Sequence, residues 1–339
     1  CHRYNVFIFF DFAAIAPYVK IDMNRDPDSY FDAIFFSPHK FLGGPGSSGI
    51  LIIHDKLYRK DLPPTTAGGG TVIYVGSRYH DFADDIEARE KAGTPPILQT
   101  IKAAFAMELK EKIGIQLVKE KERSNFSYFL KGLKKIPNIQ IIGTYDENVQ
   151  TPIFSFNIGH KDRILHPKFA TKLLNDLFGI QSRAGCSCAG PYGHFLLGID
   201  ENTSSQYRNL IVEGYNGTKP GWVRINIHYT FTREDIDFLL KAISFTAQKG
   251  HLFLQKYSFN IKTAEWKYLG YEEEDIVFSL DNKFDTKSAD MSMLLEMRKE
   301  YLNKADRIAE DLKSSKETEF VIDNEKIEKL KLFYYIHST

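Results

Sequence analysis

The sequence predicts an α/β fold followed by a smaller α+β domain. Three observations predict it. The apolar runs at 5–10 and 31–36 are short and continuous, the pattern of strands covered on both faces rather than of half-exposed strands. A long stretch opening at "GTPPILQT" repeats its apolar residues at helical spacing, through Ile97, Ile101, Phe105 and Leu109. Beyond it, "IQIIG", "TPIFSFNIG" and "WVRINIHY" read as strands and alternate with the helical stretches "HPKFATKLLNDLFG" and "TREDIDFLLKAISFTAQKG".

Bulk properties narrow the function classes. A chain of 339 residues buries a sizeable core and is expected to form two domains. Lysine plus arginine and aspartate plus glutamate are both 44, so nothing in the charge balance suggests nucleic acid or another polyanion as partner. No apolar run reaches the roughly 20 residues of a membrane span, and the longest, "VFIFFDFAAIA", is interrupted by Asp11. The cysteines are Cys1, Cys186 and Cys188, too few and too closely placed for a disulfide framework, so a reducing cytosol is the expected compartment. The chain opens on Cys1 rather than Met and enters a strand almost at once. That reads as a fragment or processed chain whose N-terminal part is absent.

In chain order, the first strand runs over 5–10 and stops at Asp11. A polar connection, "APYVKIDMNRDPDSY", follows with little helical pattern. The second strand, 31–36, leads into "SPHKFLGGPGSSGIL". Lys40 therefore stands at the end of a core strand, where α/β proteins hold their chemistry, and desolvation there would lower its pKa and make it a nucleophile. The third strand, from Gly49, follows a short turn and is expected antiparallel to the second. "PPTTAGGGTVIYV" is a loop entering a strand. The prolines before Ile97 mark the start of a long helix joining the two domains. From about residue 271 the composition becomes charged. Leu294, Met297, Tyr301, Ala305, Ile308 and Leu312 share one helical face, read as a docked amphipathic helix. Domains are expected at 1–115, 116–270 and a charged, largely helical tail at 271–339.

The blocks "DFAA", "SPHKFLGGPGSSGIL", "GGGTV", "EAREKAGTP", "RAGCSCAGP" and "VRINIHYT" occur in an order and at spacings that resemble the class V aminotransferases. These are fold type I pyridoxal phosphate (PLP) enzymes, a group that includes cysteine desulfurases and selenocysteine lyases. The resemblance covers roughly residues 5 to 250 and leaves out the tail. It implies part of a fold type I large domain plus a small α+β C-terminal domain. It also implies Lys40 as the Schiff-base lysine, Asp11 as partner of the pyridine nitrogen, and Ser37 and His39 on the phosphate. Gly70 and Thr71 would serve the phosphate of a second subunit's cofactor, which implies a homodimer. Arg224 would clamp the substrate carboxylate, a task suited to guanidinium, with Arg183 behind it. Taken alone, Asp11 is equally a turn residue at a strand end, Ser37 and His39 turn residues, Gly70 and Thr71 part of a loop, and Arg183 and Arg224 strand-surface arginines, whereas the ordered blocks argue against a merely solvated Lys40.

"RAGCSCAGP" bears on the reaction. Short-loop desulfurases carry a cysteine followed by alanine, one variable residue and proline, and Cys188 matches that position while Cys186 does not. A thiolate at Cys188 would accept sulfur from cysteine. Inert packing of both cysteines and a metal site with His194 are the alternatives, the latter a weak pattern, and no metal is expected. Two departures stand out: Ala14 where desulfurases carry glutamine, and Cys186 where short-loop members often carry histidine. The expected function is a PLP-dependent cysteine desulfurase or selenocysteine lyase, passing sulfur to an acceptor protein. An aminotransferase or epimerase of the same family, and a truncated chain without activity, are the other readings. A chain lacking neighbouring strands would be prone to aggregate.

Overall fold

The computed structural model describes residues 1–148, 150–186, 190–272, 290–314, 322 and 324–335. The chain divides into two compact units, Cys1–Lys121 and Glu122–Thr339.

The first unit contains β1 (Phe9–Asp11), the short ribbon β2 (Asn24–Asp26) and β3 (Ser29–Tyr30), then β4 (Ala33–Phe36) and β5 (Ile50–Ile53). A second ribbon, β6 (Val72–Val75) and β7 (His80–Phe82), precedes α1 (Ile86–Arg89) and α2 (Ile97–Ile113). The main sheet has the order β1-β4-β5. β1 is parallel to β4, with Phe10 opposite Ile34, and β5 is antiparallel to β4, as its short connection predicts. Ile34 and Phe36 pack with Phe12, Ala16, Phe41 and Ala106 into a small core. Asp32, at the foot of β4, is fully buried and binds Lys56 Nζ at 2.6 Å, His2 Nε2 at 2.9 Å and the Ile8 amide at 2.8 Å. Burial alone would raise its pKa, but the bonds from Lys56, Ile8 and His2 hold it well below the carboxylate range.

The expectation that these strands are covered on both faces does not hold among the described residues. Phe9 is 59% exposed and Phe10 43%. Phe35, between buried Ile34 and Phe36, faces solvent too. An apolar run fixes which residues can be buried, and packing partners decide which are.

The long helix also differs from expectation. Gly114 adopts φ 83° and ψ 128°, a conformation other residues avoid, and ends α2. The chain restarts as α3 (Ile115–Leu133), which continues into the second unit.

In the second unit come β8 (Ile139–Ile141), β9 (Ile153–His160), β10 (Arg163–Leu165), α4 (Pro167–Phe178) and β11 (Arg183–Gly185). They are followed by α5 (Gly190–Leu197), α6 (Glu201–Val212), β12 (Trp222–Asn226), α7 (Arg233–Lys249), and the hairpin β13 (Tyr257–Asn260) and β14 (Glu265–Tyr268). The last elements are α8 (Met291–Leu312), α9 (Glu325–Leu330) and β15 (Phe333–Tyr334). The sheet runs β11-β12-β9-β10-β15, and β8 also pairs with β9. α4 and α7 face it through Phe169, Leu173, Ile236 and Ile243, all fully buried against Phe154 and Phe156. Each such side chain contributes roughly 1.5–3 kcal/mol on burial. α7 begins with a reciprocal cap in which Thr232 and Asp235 bond each other's backbone. α8 docks through Ala305, Ala309 and Leu312, as its apolar face predicts. β15 was not foreseen: it pairs in parallel with β10 and buries Phe333 and Tyr334 inside the charged tail.

Glu122 opens this unit and is 8% exposed. Burial pushes its pKa up to about 7, from 4.5. An acid raised in the folded state binds more protons there than in the unfolded chain, so its contribution is lost as pH rises from 4.5 through about 7. Glu122→Gln is therefore expected to stabilise the unit at pH 8 and to be close to neutral at pH 5. Thermal unfolding across that range checks this, and a pH-independent difference would contradict it.

Candidate active site

Two groups of sequence-predicted residues emerge, one in each unit. In the first, β4 ends at Phe36 and the backbone turns once through Pro38–Lys40. The Lys40 amide donates to the Ser37 carbonyl at 3.0 Å, Phe41 to Pro38 at 2.9 Å and Gly44 to Phe41 at 2.9 Å. Pro38 and Phe41 are buried on either side, so the turn is anchored while the Lys40 and His39 side chains stand exposed. The desolvated lysine expected from the sequence is thus not found: the anchors are buried, not Lys40. Its ammonium has no hydrogen bond or ion pair among the described residues.

The glycines after Lys40 serve close approach more than flexibility. A Cβ on Gly44 would lie 1.9 Å from the Pro38 carbonyl oxygen, and Gly43 and Gly46 have φ of 76° and 84°. Glycine is required for the chain to fold back on the lysine turn.

Asp11 ends β1, and because β1 and β4 are parallel, Asp11 and the Lys40 turn lie at the same end of the sheet. The Phe12 amide donates to Phe35 O at 2.9 Å, which ties Asp11 to β4. Asp11 Oδ1 accepts from the Ala13 amide at 2.7 Å. Lys110 of α2 braces the segment that follows, donating to the carbonyls of Ala16 and Val19 at 2.7 and 2.6 Å. Burial pushes this lysine's pKa down.

Ser37 is half-buried at the head of the turn. Thr71 is fully buried, and its hydroxyl donates to Gly68 O at 2.7 Å. The exposed part of that loop is the Gly69–Gly70 backbone, with Gly70 at φ 94°.

In the second unit Arg183 on β11 stands directly opposite Arg224 on β12. Directly opposed residues of an antiparallel pair share a face, and like charges so placed repel. Cys186 follows β11, half-buried. Its thiol donates to Pro220 O at 3.0 Å, and its Sγ would lie 3.5 Å from a Cβ placed on Gly193. Burial pushes its pKa up, away from the thiolate. Cys188 lies outside the described residues. His194 reaches Ser204 Oγ at 3.2 Å.

Arg183 and Arg224 line a cleft of about 910 Å³ within this unit, whose far wall is α8. There Arg298 Nη2 binds Asp235 Oδ1 at 2.6 Å, with its guanidinium 5.2 Å from the Phe238 ring centre. Burial would raise the Asp235 pKa, but bonds from Thr232 and Arg298 lower it. Arg298 is a site residue with only a faint mark in the sequence. Its signal was a cation set among Leu294, Met297 and Tyr301 at helical spacing.

Two outcomes check these placements. Gly44→Ala is expected to cost at least ~1–3 kcal/mol through overpacking against Pro38, read as a lower urea midpoint; an unchanged midpoint would contradict the close approach. Cys186 is expected to alkylate with iodoacetamide more slowly than exposed Cys1 at pH 8, followed by peptide mass spectrometry.

The family described as aminotransferase class-V matches residues 1–239. A cysteine desulfurase of Wigglesworthia glossinidia brevipalpis is 31% identical over 195 residues, 57% of this chain and 44% of the relative. A probable cysteine desulfurase of Staphylococcus aureus (strain Mu50 / ATCC 700699) is 28% identical over 246 residues, 73% of this chain and 52% of the relative. The chain spans about half the length of the relatives it matches. Among solved structures, the apo cysteine desulfurase of Thermococcus onnurineus NA1 superposes with a TM-score of 0.58 at 23% identity, over 73% of this chain and 54% of that one. A cysteine desulfurase from Escherichia coli gives 0.55 at 22% identity, over 71% and 52%. These likenesses show the fold: part of the fold type I architecture.

Proposed function

The chain belongs to the class-V aminotransferase family, and from that premise we propose a PLP-dependent enzyme that removes sulfur from cysteine or selenium from selenocysteine. The observation that carries the reading is the shared sheet end of Asp11 and the Lys40 turn, set by the parallel pairing of β1 with β4. An amine unpaired among the described residues and a carboxylate at the same end of the sheet suit the cofactor's aldehyde and its ring nitrogen. Names of the sequence relatives, one a cysteine desulfurase and one a probable cysteine desulfurase, support the reaction type.

Bound there, pyridoxal phosphate would supply an electron sink for bond breaking at the substrate Cα. Lys40 would hold the cofactor covalently through Nζ and, once released, take the Cα proton on the same nitrogen. The Asp11 carboxylate would keep a proton on the ring nitrogen by charge pairing. Ser37 and His39 would donate to the phosphate, and the Gly70–Thr71 loop would donate to that of a second copy in a homodimer. Arg224, with Arg183 beside it, would pair with the substrate carboxylate in a bidentate contact. The Cys188 thiolate would attack the substrate sulfur. An S–S bond would form and the Cβ–S bond break, its electron pair staying on Cβ, which takes a proton; with the proton returned to Cα, alanine leaves and Cys188 keeps a persulfide for an acceptor thiol. Cys186, held protonated against Pro220, is unsuited to that role. A reducing cytosol is the compartment this chemistry calls for.

Borohydride reduction in the presence of PLP is expected to fix the cofactor on Lys40 and to leave none on the Lys40→Ala protein; a reduced adduct on another lysine would sink the assignment. With cysteine as substrate, Cys188→Ala should abolish sulfide release and Cys186→Ala should retain most of it, measured beside alanine formation. Arg224→Ala should raise KM roughly ten- to a hundredfold, the equivalent of ~1.5–3 kcal/mol for a charge-assisted contact. Arg224→Lys should recover only part of this.

A further inference from the structure

We propose that Arg89 and Glu90 are positioning residues for a phosphate-binding turn at Gly69–Gly70, and so set how tightly the cofactor's phosphate is held. The inference rests on the PLP reading and adds to it two side chains that touch no cofactor. The turn has the form an anion needs. Gly69 and Gly70 are exposed, their amides donate to nothing among the described residues, and Gly70 has φ 94°. Consecutive free N–H groups in such a turn make a concave seat for negative charge. A seat of this kind holds its ligand tightly only if the backbone around it is already fixed, because ordering a glycine loop on binding is costly.

One short segment fixes it. Loop 60–71 lies along residues 89–93, and the two are joined at successive points. Arg89, the last residue of α1, is 8% exposed. Its Nη2 donates to Lys60 O at 2.9 Å and to Leu62 O at 2.8 Å, and its Nη1 to Ala83 O at 3.4 Å. The guanidinium lies 4.9 Å from the Phe82 ring centre. Burying a cation is costly unless its N–H groups are met, and here backbone carbonyls meet them. Glu90 takes the next point: its carboxylate accepts from the Thr65 amide at 3.2 Å and from the Tyr58 hydroxyl at 2.5 Å. Gly68 then passes close to Ala92, where a Cβ on the glycine would lie 3.1 Å from the alanine Cβ. Last, the Gly93 amide donates to Gly69 O at 2.8 Å. Residues 89, 90, 92 and 93 thus meet residues 60–62, 65, 68 and 69 in order, and the final bond falls on the turn itself. Arg89 and Glu90 hold the start and middle of the loop, so they act on a ligand only through its backbone.

Hydrogen exchange on the cofactor-free protein reads the positioning. Arg89→Met and Glu90→Gln should each speed exchange at Thr65, Thr71 and Gly93 by about tenfold or more and leave the α4 amides unchanged. Titration with PLP and with pyridoxal, which has the same aldehyde and ring but no phosphate, reads the consequence. Arg89→Met should weaken PLP about tenfold, the size of one lost charge-assisted contact, and leave pyridoxal unchanged. Arg89→Lys, without the planar fork that spans two carbonyls, should recover only part of this. Glu90→Gln should show the same selective loss and serves as the milder variant where a circular dichroism melt finds Arg89→Met unfolded. Equal weakening of PLP and pyridoxal, or unchanged exchange in the loop, would overturn the proposal. If the unsubstituted protein forms no adduct with PLP, the cofactor reading falls and the phosphate role of the turn falls with it. Loop exchange in the Arg89→Met protein then still decides whether that side chain holds the loop.

Discussion

Parallel pairing of β1 with β4 is the constraint on which the candidate chemistry depends. Had the two strands run antiparallel, Asp11 and the Lys40 turn would stand at opposite ends of the sheet. The pairing is held at its foot by Asp32, which gathers Lys56, His2 and the Ile8 amide. At its head, the Phe12 amide closes onto Phe35. Between these two fastenings only three residues of β1 are bonded to β4, so the geometry relies on buried polar contacts as much as on the ladder itself.

The two units each place charge beside charge. Asp32 is a lone carboxylate surrounded by donors, which offsets the cost of burying it. Arg183 and Arg224 are two cations set side by side near the surface of a strand pair. The first arrangement is complete within the chain and serves folding. The second places both cations on one face of the β11–β12 pair.

Much of this was legible in the sequence. The strand before Lys40, the antiparallel third strand and the docked face of α8 all followed from apolar pattern and loop length. The pattern failed where burial depends on partners. Continuous apolar runs cannot tell a strand covered twice from one covered once, so Phe9 and Phe35 read as core. Helical spacing continued across Gly114, while a single positive φ ended the helix. β15 is two residues long in a charged setting, and nothing local distinguishes it from a loop. At the site, the residue types of the Lys40 block were readable, but the reason for Gly44, contact with the Pro38 carbonyl, required coordinates. Arg298 was hidden because a cation in an apolar stripe reads as its solvated edge.

β15 also ties the order of synthesis to the order of folding. Lys161 beside β10 donates to the Tyr334 hydroxyl across 173 residues of sequence, and the strands pair in parallel. At ribosomal speeds of about 5–20 residues per second, β10 waits roughly ten to thirty seconds for its neighbour to be made. During that interval the edge of a growing sheet is open and His160, Ile164 and Leu165 lack their cover. The β10–β15 closure is a late, long-range contact, the kind that slows folding.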